Sequence, residues 1–241
     1  MEILQIAAVV AGALAASTVA AVAGFGGAVV LLPILVWAFG VQDAIPVLTV
    51  AQLIGNSSRV WLNRSELSLP VVRWFAMGAV PTAILGGLIF ATAPADALVR
   101  ILGAFLLLTA AYRHTSFGKH THIGLRGFLP LGGVSGAISA LVGTAGPIMA
   151  PFFLMYGLVK GAYIGTEASA AVVMHVTKLG VYGGYALLEL RTALAGVGIG
   201  LVMTVGSFAG KRILTRLPEA HFANVIEAVL ITAGLLFVIR G

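Results

Sequence analysis

The chain has 241 residues, of which 60% are hydrophobic and 9% charged, and its mean hydropathy is +1.08. Average soluble domains are about 45–50% apolar and about 25% charged, so this composition excludes a water-soluble globule and allows about seven membrane spans. The apolar runs lack the alternation of a transmembrane β-barrel. The absence of cysteine excludes disulfides, and the net charge of +6, carried by scattered residues, does not indicate a nucleic-acid partner.

Ten apolar segments follow one another along the chain, and they predict an all-α polytopic membrane protein. Four of them are too short or too interrupted to be simple spans, since a membrane-spanning helix needs about 20 apolar residues. The segments are 3–23, 26–39, 44–62, 69–91, 96–112, 126–142, 146–158, 162–186, 190–210 and 220–240.

The short segments form two adjacent pairs, and glycine interrupts each pair. The first pair meets at Gly24-Phe25-Gly26-Gly27 and the second at Gly143-Thr144-Ala145-Gly146-Pro147. Glycine frees the backbone to leave the helix, and Pro147 suits the first turn of a new helix. Each pair is predicted to be a broken, re-entrant helix pair followed by three transmembrane helices. Segment 3–23 is also long enough to span, and that alternative stays open.

An internal repeat relates the two halves of the chain. Pro33 aligns with Pro151 at an offset of 118, and Asn56-Ser57-Ser58-Arg59 aligns with His175-Val176-Thr177-Lys178 at an offset of 119. Residues 113–125 are the only long polar stretch and are predicted to be a linker. The prediction is a single membrane domain over 1–241, with repeat one at 1–112 and repeat two at 126–241.

The placement of charged residues predicts that the two repeats are inverted. Arg59, Arg64 and Arg73 surround the loop after the third segment, whereas the corresponding loop of the second half carries Glu189 with Arg191. Basic residues concentrate on the cytoplasmic side of membrane proteins, so loops of opposite bias fit halves of opposite orientation. The linker is then cytoplasmic, the protein lies in the cytoplasmic (inner) membrane, and both termini are outside.

The glycine-rich pairs resemble the TauE/SafE family of membrane permeases, the sulfite exporter family. The shared motif is a Gly-x-Gly-Gly loop followed by apolar residues and a proline, which runs here from Gly24 to Pro33. The second copy runs from Gly143 to Pro151 and has Thr144-Ala145 in place of the fuller glycine run. The resemblance covers essentially the whole chain. It implies a non-enzymatic transporter of sulfur-containing or organic anions such as sulfite, thiosulfate and sulfonates, without specifying the molecule.

The two glycine loops are the first candidate for a substrate site. A helix that begins at membrane depth presents free N–H groups and about half a positive charge, and irregular backbone there must be buried or line a cavity. The alternative is that the glycines serve only close helix packing. The candidate residues are Gly24, Phe25, Gly26, Gly27, Gly143, Thr144, Ala145 and Gly146.

A polar stripe on segment 44–62 is the strongest side-chain signal. Steps of three and four residues place Thr49, Gln52, Asn56, Arg59 and Asn63 on one helix face, which lipid would not tolerate. A basic group inside a span is costly and marks function by default, although a snorkelling anchor is an equally good interpretation of Arg59. The predicted substrate-binding side chains are Gln52, Asn56, Ser57, Arg59, His175, Thr177 and Lys178.

Three residues are candidates for proton coupling, because histidine and carboxyl groups form the proton relays of transporters. Glu167 and His175 share a segment with Lys178, and Glu227 lies with Asn224 in the last segment. A buried structural histidine is the more common alternative. Glu227 and Asn224 can equally well satisfy polar groups of neighbouring helices.

The sequence predicts a secondary transporter that moves a small anion by alternating access between the two glycine-rich breaks. An anion channel with the same loops lining a pore stays open as an alternative. A membrane-embedded hydrolase is disfavoured because Ser169 and His175 are six residues apart and point to different faces. His120-Thr121-His122 lacks a third ligand nearby. No cofactor, metal or catalytic residue is predicted, and the partners are the anion and the lipid bilayer.

Overall fold

Helices make up almost all of the described chain. The structure is a computed structural model that describes residues 3–25, 27–94, 123–185 and 187–216, together with Ala97, Ile101 and Pro218. Within these residues the chain forms eight α-helices and no strand, which confirms the all-α prediction. The helices are α1 (Ile3–Ala23), α2 (Gly27–Phe39), α3 (Val41–Leu62), α4 (Leu69–Thr92), α5 (Phe128–Val142), α6 (Gly146–Met155), α7 (Lys160–Gly184) and α8 (Leu190–Arg216).

Four stretches of the described chain are long and apolar enough to cross a membrane. They are α1, α4, α8 and Leu125–Val142, in which a 3₁₀ turn leads into α5. The shorter apolar helices α2 and α6 have 13 and 10 residues. The helices α3 and α7 have 22 and 25 residues and carry most of the buried polar and charged side chains of the described chain. The chain is therefore a multi-pass membrane protein.

Eight of the ten predicted segments correspond to these helices, with ends that differ by a few residues. The helix α8 continues beyond segment 190–210 to Arg216, so Lys211 and Arg212 lie within a helix, where cations near the C-terminus are favourable. Segments 96–112 and 220–240 lie outside the described residues, apart from Ala97 and Ile101. So do residues 113–122 of the linker, Asn224 and Glu227.

Glycines in the left-handed region end α1 and α5 at the two predicted breaks. Gly24 and Gly143 both have φ +84°, a conformation that costs a residue with a Cβ about 1–2 kcal/mol. The Gly24 N–H donates to Ala20 O and the Gly143 N–H donates to Ser139 O, both at 2.9 Å. A new helix begins three residues after each glycine, α2 in the first case and α6 in the second.

Glycine surfaces let neighbouring helix backbones approach closely. A Cβ on Gly132 of α5 would lie 2.9 Å from the carbonyl carbon of Phe75 in α4. Further along both helices, Gly86 of α4 faces Ala140 of α5, so the two helices run parallel. Such close packing holds helices together in lipid, where the hydrophobic effect does not.

The helices α1, α3 and α8 run in one direction. In each contacting pair, residues further along one helix contact residues further along the other, as parallel packing requires. The pairs are Val50 with Gly196 and Ile54 with Gly200 between α3 and α8, and Ser17 with Gly206 and Ala21 with Gly210 between α1 and α8.

The helices α4, α5 and α7 run in the opposite direction. The start of α7 lies beside the connection from α3 to α4, where the Ser68 N–H donates to Thr166 Oγ1 at 3.0 Å. Further along, Gly87 of α4 faces Val181 of α7. The helix α7 is therefore parallel to α4 and antiparallel to α3, and both groups of helices contain members from each half of the chain.

Candidate functional site

The two helix breaks face each other across one buried cavity. Gly24 and Phe25 of the first break and residues 143–146 of the second line it. The breaks touch, because a Cβ on Gly146 would lie 3.0 Å from the Cβ of Phe25. The cavity has a volume of about 30 Å³, room for roughly two water molecules. The observed state therefore admits only a very small ligand.

The helices α2 and α6 both begin at this cavity. Gly27 and Ala28 line it from α2, and Gly146 lines it from α6. Ala145, the residue before α6, offers no capping side chain, and the Gly146 N–H makes only a 3.4 Å hydrogen bond to Thr144 Oγ1. The first N–H groups of a helix lack partners within it and carry partial positive charge. Both breaks therefore present positive helix ends to the same small space.

Arg59 of α3 is the charged group of the first break. It is 5% exposed, and its Nη1 donates to Ala20 O at 2.9 Å and to Gly24 O at 2.7 Å. Nη1 also forms an ion pair with Glu167 Oε2 of α7 at 3.3 Å, and Nη2 donates to Asn56 Oδ1. Arg59 therefore does not snorkel to the membrane surface. It caps the negative end of α1 and binds a carboxylate from the other half of the chain.

Lys178 of α7 has the equivalent place at the second break. It is fully buried, and its Nζ donates to Ser139 O at 3.1 Å and to Ser139 Oγ at 3.0 Å. Arg59 and Lys178 each bind a carbonyl 39 residues earlier in the chain, and that carbonyl also accepts the N–H of the left-handed glycine. Lys178 itself does not line the cavity, whereas Ser139 does.

The polar stripe of α3 is buried along its whole length. Its five residues are each at most 5% exposed, as their helical spacing indicates. Gln52 and Asn56 line the cavity. At the end of the stripe, Asn63 Nδ2 donates to Arg59 O at 2.8 Å, and Asn63 Oδ1 accepts a hydrogen bond from Lys211 Nζ of α8.

Most of the candidate residues from the sequence lie around the cavity, but a few do not. Ser57 is exposed, and Thr177 donates its hydroxyl to Val173 O one turn earlier at 2.9 Å, so neither lines it. Each is one residue away from an inward-facing position, a rotation of about 100° on a helix. Gly26 and Glu227 lie outside the described residues. The candidates that line the cavity are Gly24, Phe25, Gly27, Gln52, Asn56, Arg59, Gly143, Thr144, Ala145, Gly146, Glu167 and His175.

Two further residues of the site were not identified from the sequence. Ser139 precedes Gly143 by four positions, as Ala20 precedes Gly24, so comparison of the two repeats offers a signal for it. Tyr163 is fully buried, and its ring occupies the space beside Gly24 that a Cβ would need. No spacing in the sequence indicates that packing.

The donors around the cavity suit an oxyanion. Guanidinium, amide and helix N–H groups form strong hydrogen bonds to charged oxygen atoms, and Arg59, Asn56 and the start of α6 supply these types. Within the described ranges, no three His, Asp or Glu side chains lie close enough together to hold a metal ion.

Comparison with known proteins identifies the family. The family model described as Sulfite exporter TauE/SafE matches residues 8–237, nearly the whole chain. The chain belongs to the TauE/SafE family. No curated protein and no solved structure matches this TauE/SafE chain.

Membership in the TauE/SafE family shows that the protein is a membrane transporter of sulfite-type anions and not an enzyme. The resemblance drawn from the two glycine-rich motifs is thereby confirmed. The four apolar stretches that are long enough to span agree with it. A small anion and membrane lipid are the partners that the family implies.

Proposed function

We propose that this TauE/SafE protein is a secondary transporter that moves a small sulfur oxyanion or organosulfonate by alternating access, holding it between the two glycine breaks. The observation that carries the proposal is the meeting of two left-handed glycines, two helix N-termini and Arg59 at one buried cavity. Helix ends at broken helices bind anionic groups in other transporters. The small cavity favours an anion of the size of sulfite.

The directions of the helices support the prediction that the two halves are inverted repeats. Each described long helix of the first half runs antiparallel to the helix at the same position in the second half. The pairs are α1 with α5, α3 with α7, and α4 with α8. The equivalent bonds of Arg59 to Ala20 and of Lys178 to Ser139, each across 39 residues, support it further. In an inverted pair, each half can open the shared cavity toward one side of the membrane.

The distribution of charge supports a cytoplasmic location for the end of the molecule that holds the connection from α3 to α4. That end holds the basic residues Arg64, Arg73, Lys211, Arg212 and Arg216. It also holds the acidic Glu66, which lies 3.8 Å from Lys211. Asp43 and Arg191 line one pocket at the other end of α3 and α8. The basic end faces the cytoplasm under the positive-inside rule, which puts the start of α1 outside.

Glu167 is the proposed proton carrier. Its carboxylate lies in the cavity and neutralises Arg59. When Glu167 takes up a proton, the charge of Arg59 becomes available to an anion, so the proton and the anion enter the cavity together. His175 lines the same cavity and is a second candidate for the role.

Uptake of radiolabelled sulfite by proteoliposomes tests the proposal. We expect Arg59→Gln to lower the initial rate about ten-fold or more, because it removes the charged donor that holds the anion. The double variant Arg59→Gln/Glu167→Gln should be equally slow, and it leaves no unpaired buried charge that could unfold the protein. Arg64→Gln is the matched control, since Arg64 lies on the exposed surface, where it contacts Trp61 through a hydrogen bond to Trp61 O and through the ring. Wild-type uptake by the folded double variant contradicts the proposal.

A further inference from the structure

The Ser139 hydroxyl behaves differently from most hydroxyl groups in the described helices. Ser17, Thr49, Ser169 and Ser207 donate to the carbonyl one turn earlier, as hydroxyl groups within helices commonly do. Ser139 is 1% exposed, and its Oγ accepts a hydrogen bond from Lys178 Nζ at 3.0 Å. Because an ammonium group can only donate, the Ser139 O–H remains free to donate elsewhere.

The cavity is where the Ser139 hydroxyl can find an acceptor. Ser139 lines the cavity at the second break. In the part of the chain that the structure describes, no protein group accepts a hydrogen bond from it. A buried donor without an acceptor is costly, and an oxyanion in the cavity would satisfy it.

His175 adds a second group of the same kind. It is 4% exposed and lines the cavity. Its buried Nδ1 has no hydrogen-bond partner among the described residues. With the proton on Nδ1, the imidazole is a donor to an anion. Two buried side chains with unused hydrogen-bonding capacity, the Ser139 hydroxyl proton and His175 Nδ1, therefore lie on the wall that α5 and α7 form.

Lys178 supplies positive charge behind this wall. The ion pairs of the described ranges join Arg59 to Glu167 and Lys211 to Glu66, and neither neutralises Lys178. Its ammonium group binds Ser139 and does not line the cavity. A hydroxyl oxygen that accepts from a cation becomes a stronger donor through its own proton, because linked hydrogen bonds polarise one another.

We infer that Ser139 is a ligand of the transported anion, that His175 binds the anion beside it, and that Lys178 is a positioning residue that acts through Ser139. The inference rests on the proposed function and deepens it by naming the ligands of the second break. The ligand class is a small oxyanion, since its several oxygens can accept from Arg59 on one wall and from Ser139 on the other.

Sulfite uptake kinetics in proteoliposomes distinguish the proposed role of Ser139 from that of Ser135, the other serine of α5. Ser139→Ala should raise KM for sulfite about ten-fold or more, the usual effect of losing a hydrogen bond to a charged group, and lower Vmax less. Ser135→Ala is the matched control: Ser135 is equally buried and its Oγ has no partner among the described residues, but it does not line the cavity. This variant should keep the wild-type KM.

The Lys178→Met variant tests the indirect role of Lys178. We expect it to raise KM, and we expect the double variant Ser139→Ala/Lys178→Met to be no worse than Ser139→Ala, since the two residues act as a unit. A wild-type KM in Ser139→Ala overturns the inference. So does a double variant whose increase in KM equals the product of the increases in the two single variants. If Lys178→Met does not fold, the two serine variants decide the question alone.

The same measurement separates this inference from the proposed function. Absence of any protein-dependent sulfite uptake in the wild type overturns both. Normal uptake in the wild type and in Ser139→Ala, with loss in the folded Arg59→Gln/Glu167→Gln variant, overturns only the role of Ser139.

Discussion

At the scale of single residues, the two buried cations of the site have different neighbours. Arg59 faces a carboxylate, so its charge is balanced by Glu167 at 3.3 Å. Lys178 faces a carbonyl and a hydroxyl of Ser139. Charged groups inside membrane proteins are costly and are kept where they serve transport. The first arrangement suits a carboxylate that releases and takes up a proton beside a fixed guanidinium, and the second suits attraction of an anion.

Replacement of Glu167 tests proton coupling. Glutamine can still accept the Arg59 hydrogen bond through its amide oxygen but cannot carry a proton at neutral pH. We expect Glu167→Gln proteoliposomes to take up thiosulfate at a rate that does not respond to an imposed pH gradient, whereas an inward proton gradient accelerates wild-type uptake. Thiosulfate is the probe because its own charge does not change near neutral pH.

The outcome is read from the ratio of the uptake rates with and without the gradient. Stimulation of Glu167→Gln equal to that of the wild type contradicts the role of Glu167 and leaves His175 as the carrier to test. Glu66→Gln is the control, because Glu66 is an exposed carboxyl that contacts Lys211 outside the cavity.

Sequence patterns predicted which side chains of α3 face inward but not what they bind. The spacing of Thr49, Gln52, Asn56 and Asn63 around Arg59 reports a single helix face, and all are buried. The Arg59–Glu167 ion pair joins residues 108 positions apart, and such a contact depends on how α3 packs on α7. The sequence therefore predicted that these side chains are buried, but not which groups on other helices they bind.

At the scale of helices, the breaks were the most predictable feature. A left-handed backbone favours glycine, and Gly24 and Gly143 adopt it at the two predicted breaks. Helix ends were less predictable, since α8 continues through Lys211 to Arg216. Hydropathy marks the apolar run, whereas a helix continues as long as polar residues at its end can reach water or a partner.

The connections between helices test the proposed inversion. Ser65 in the connection from α3 to α4 and Glu189 before α8 are both exposed, and they occupy equivalent places in the two halves. The chain contains no cysteine, so Ser65→Cys and Glu189→Cys each carry one thiol. We expect a membrane-impermeant maleimide added to intact cells to label Glu189→Cys only, and to label Ser65→Cys only after the membrane is opened.

Labelling of both cysteines from the same side of the membrane contradicts the inversion. Gln42→Cys serves as a control for the outer side, because Gln42 is exposed near the start of α3, the end opposite to Ser65.

At the scale of the whole molecule, the cavity lies between two groups of helices. The helices α1, α3 and α8 supply Gly24 and Arg59, and α4, α5 and α7 supply Glu167, Ser139 and His175. Each group contains helices from both halves of the chain, and the Arg59–Glu167 ion pair joins the groups. We propose that relative movement of the two groups opens the cavity. The anion and Glu167 then compete for the guanidinium of Arg59.

The central claim is that this TauE/SafE protein carries an anion by alternating access through that cavity. Counterflow tests it most directly: proteoliposomes are loaded with unlabelled sulfite and diluted into a trace of labelled sulfite. A carrier predicts that the label first accumulates above its external concentration and then declines, and that Arg59→Gln/Glu167→Gln abolishes this overshoot. Equilibration of the label without an overshoot is the behaviour of a channel, and that result, or no protein-dependent entry, would contradict the account.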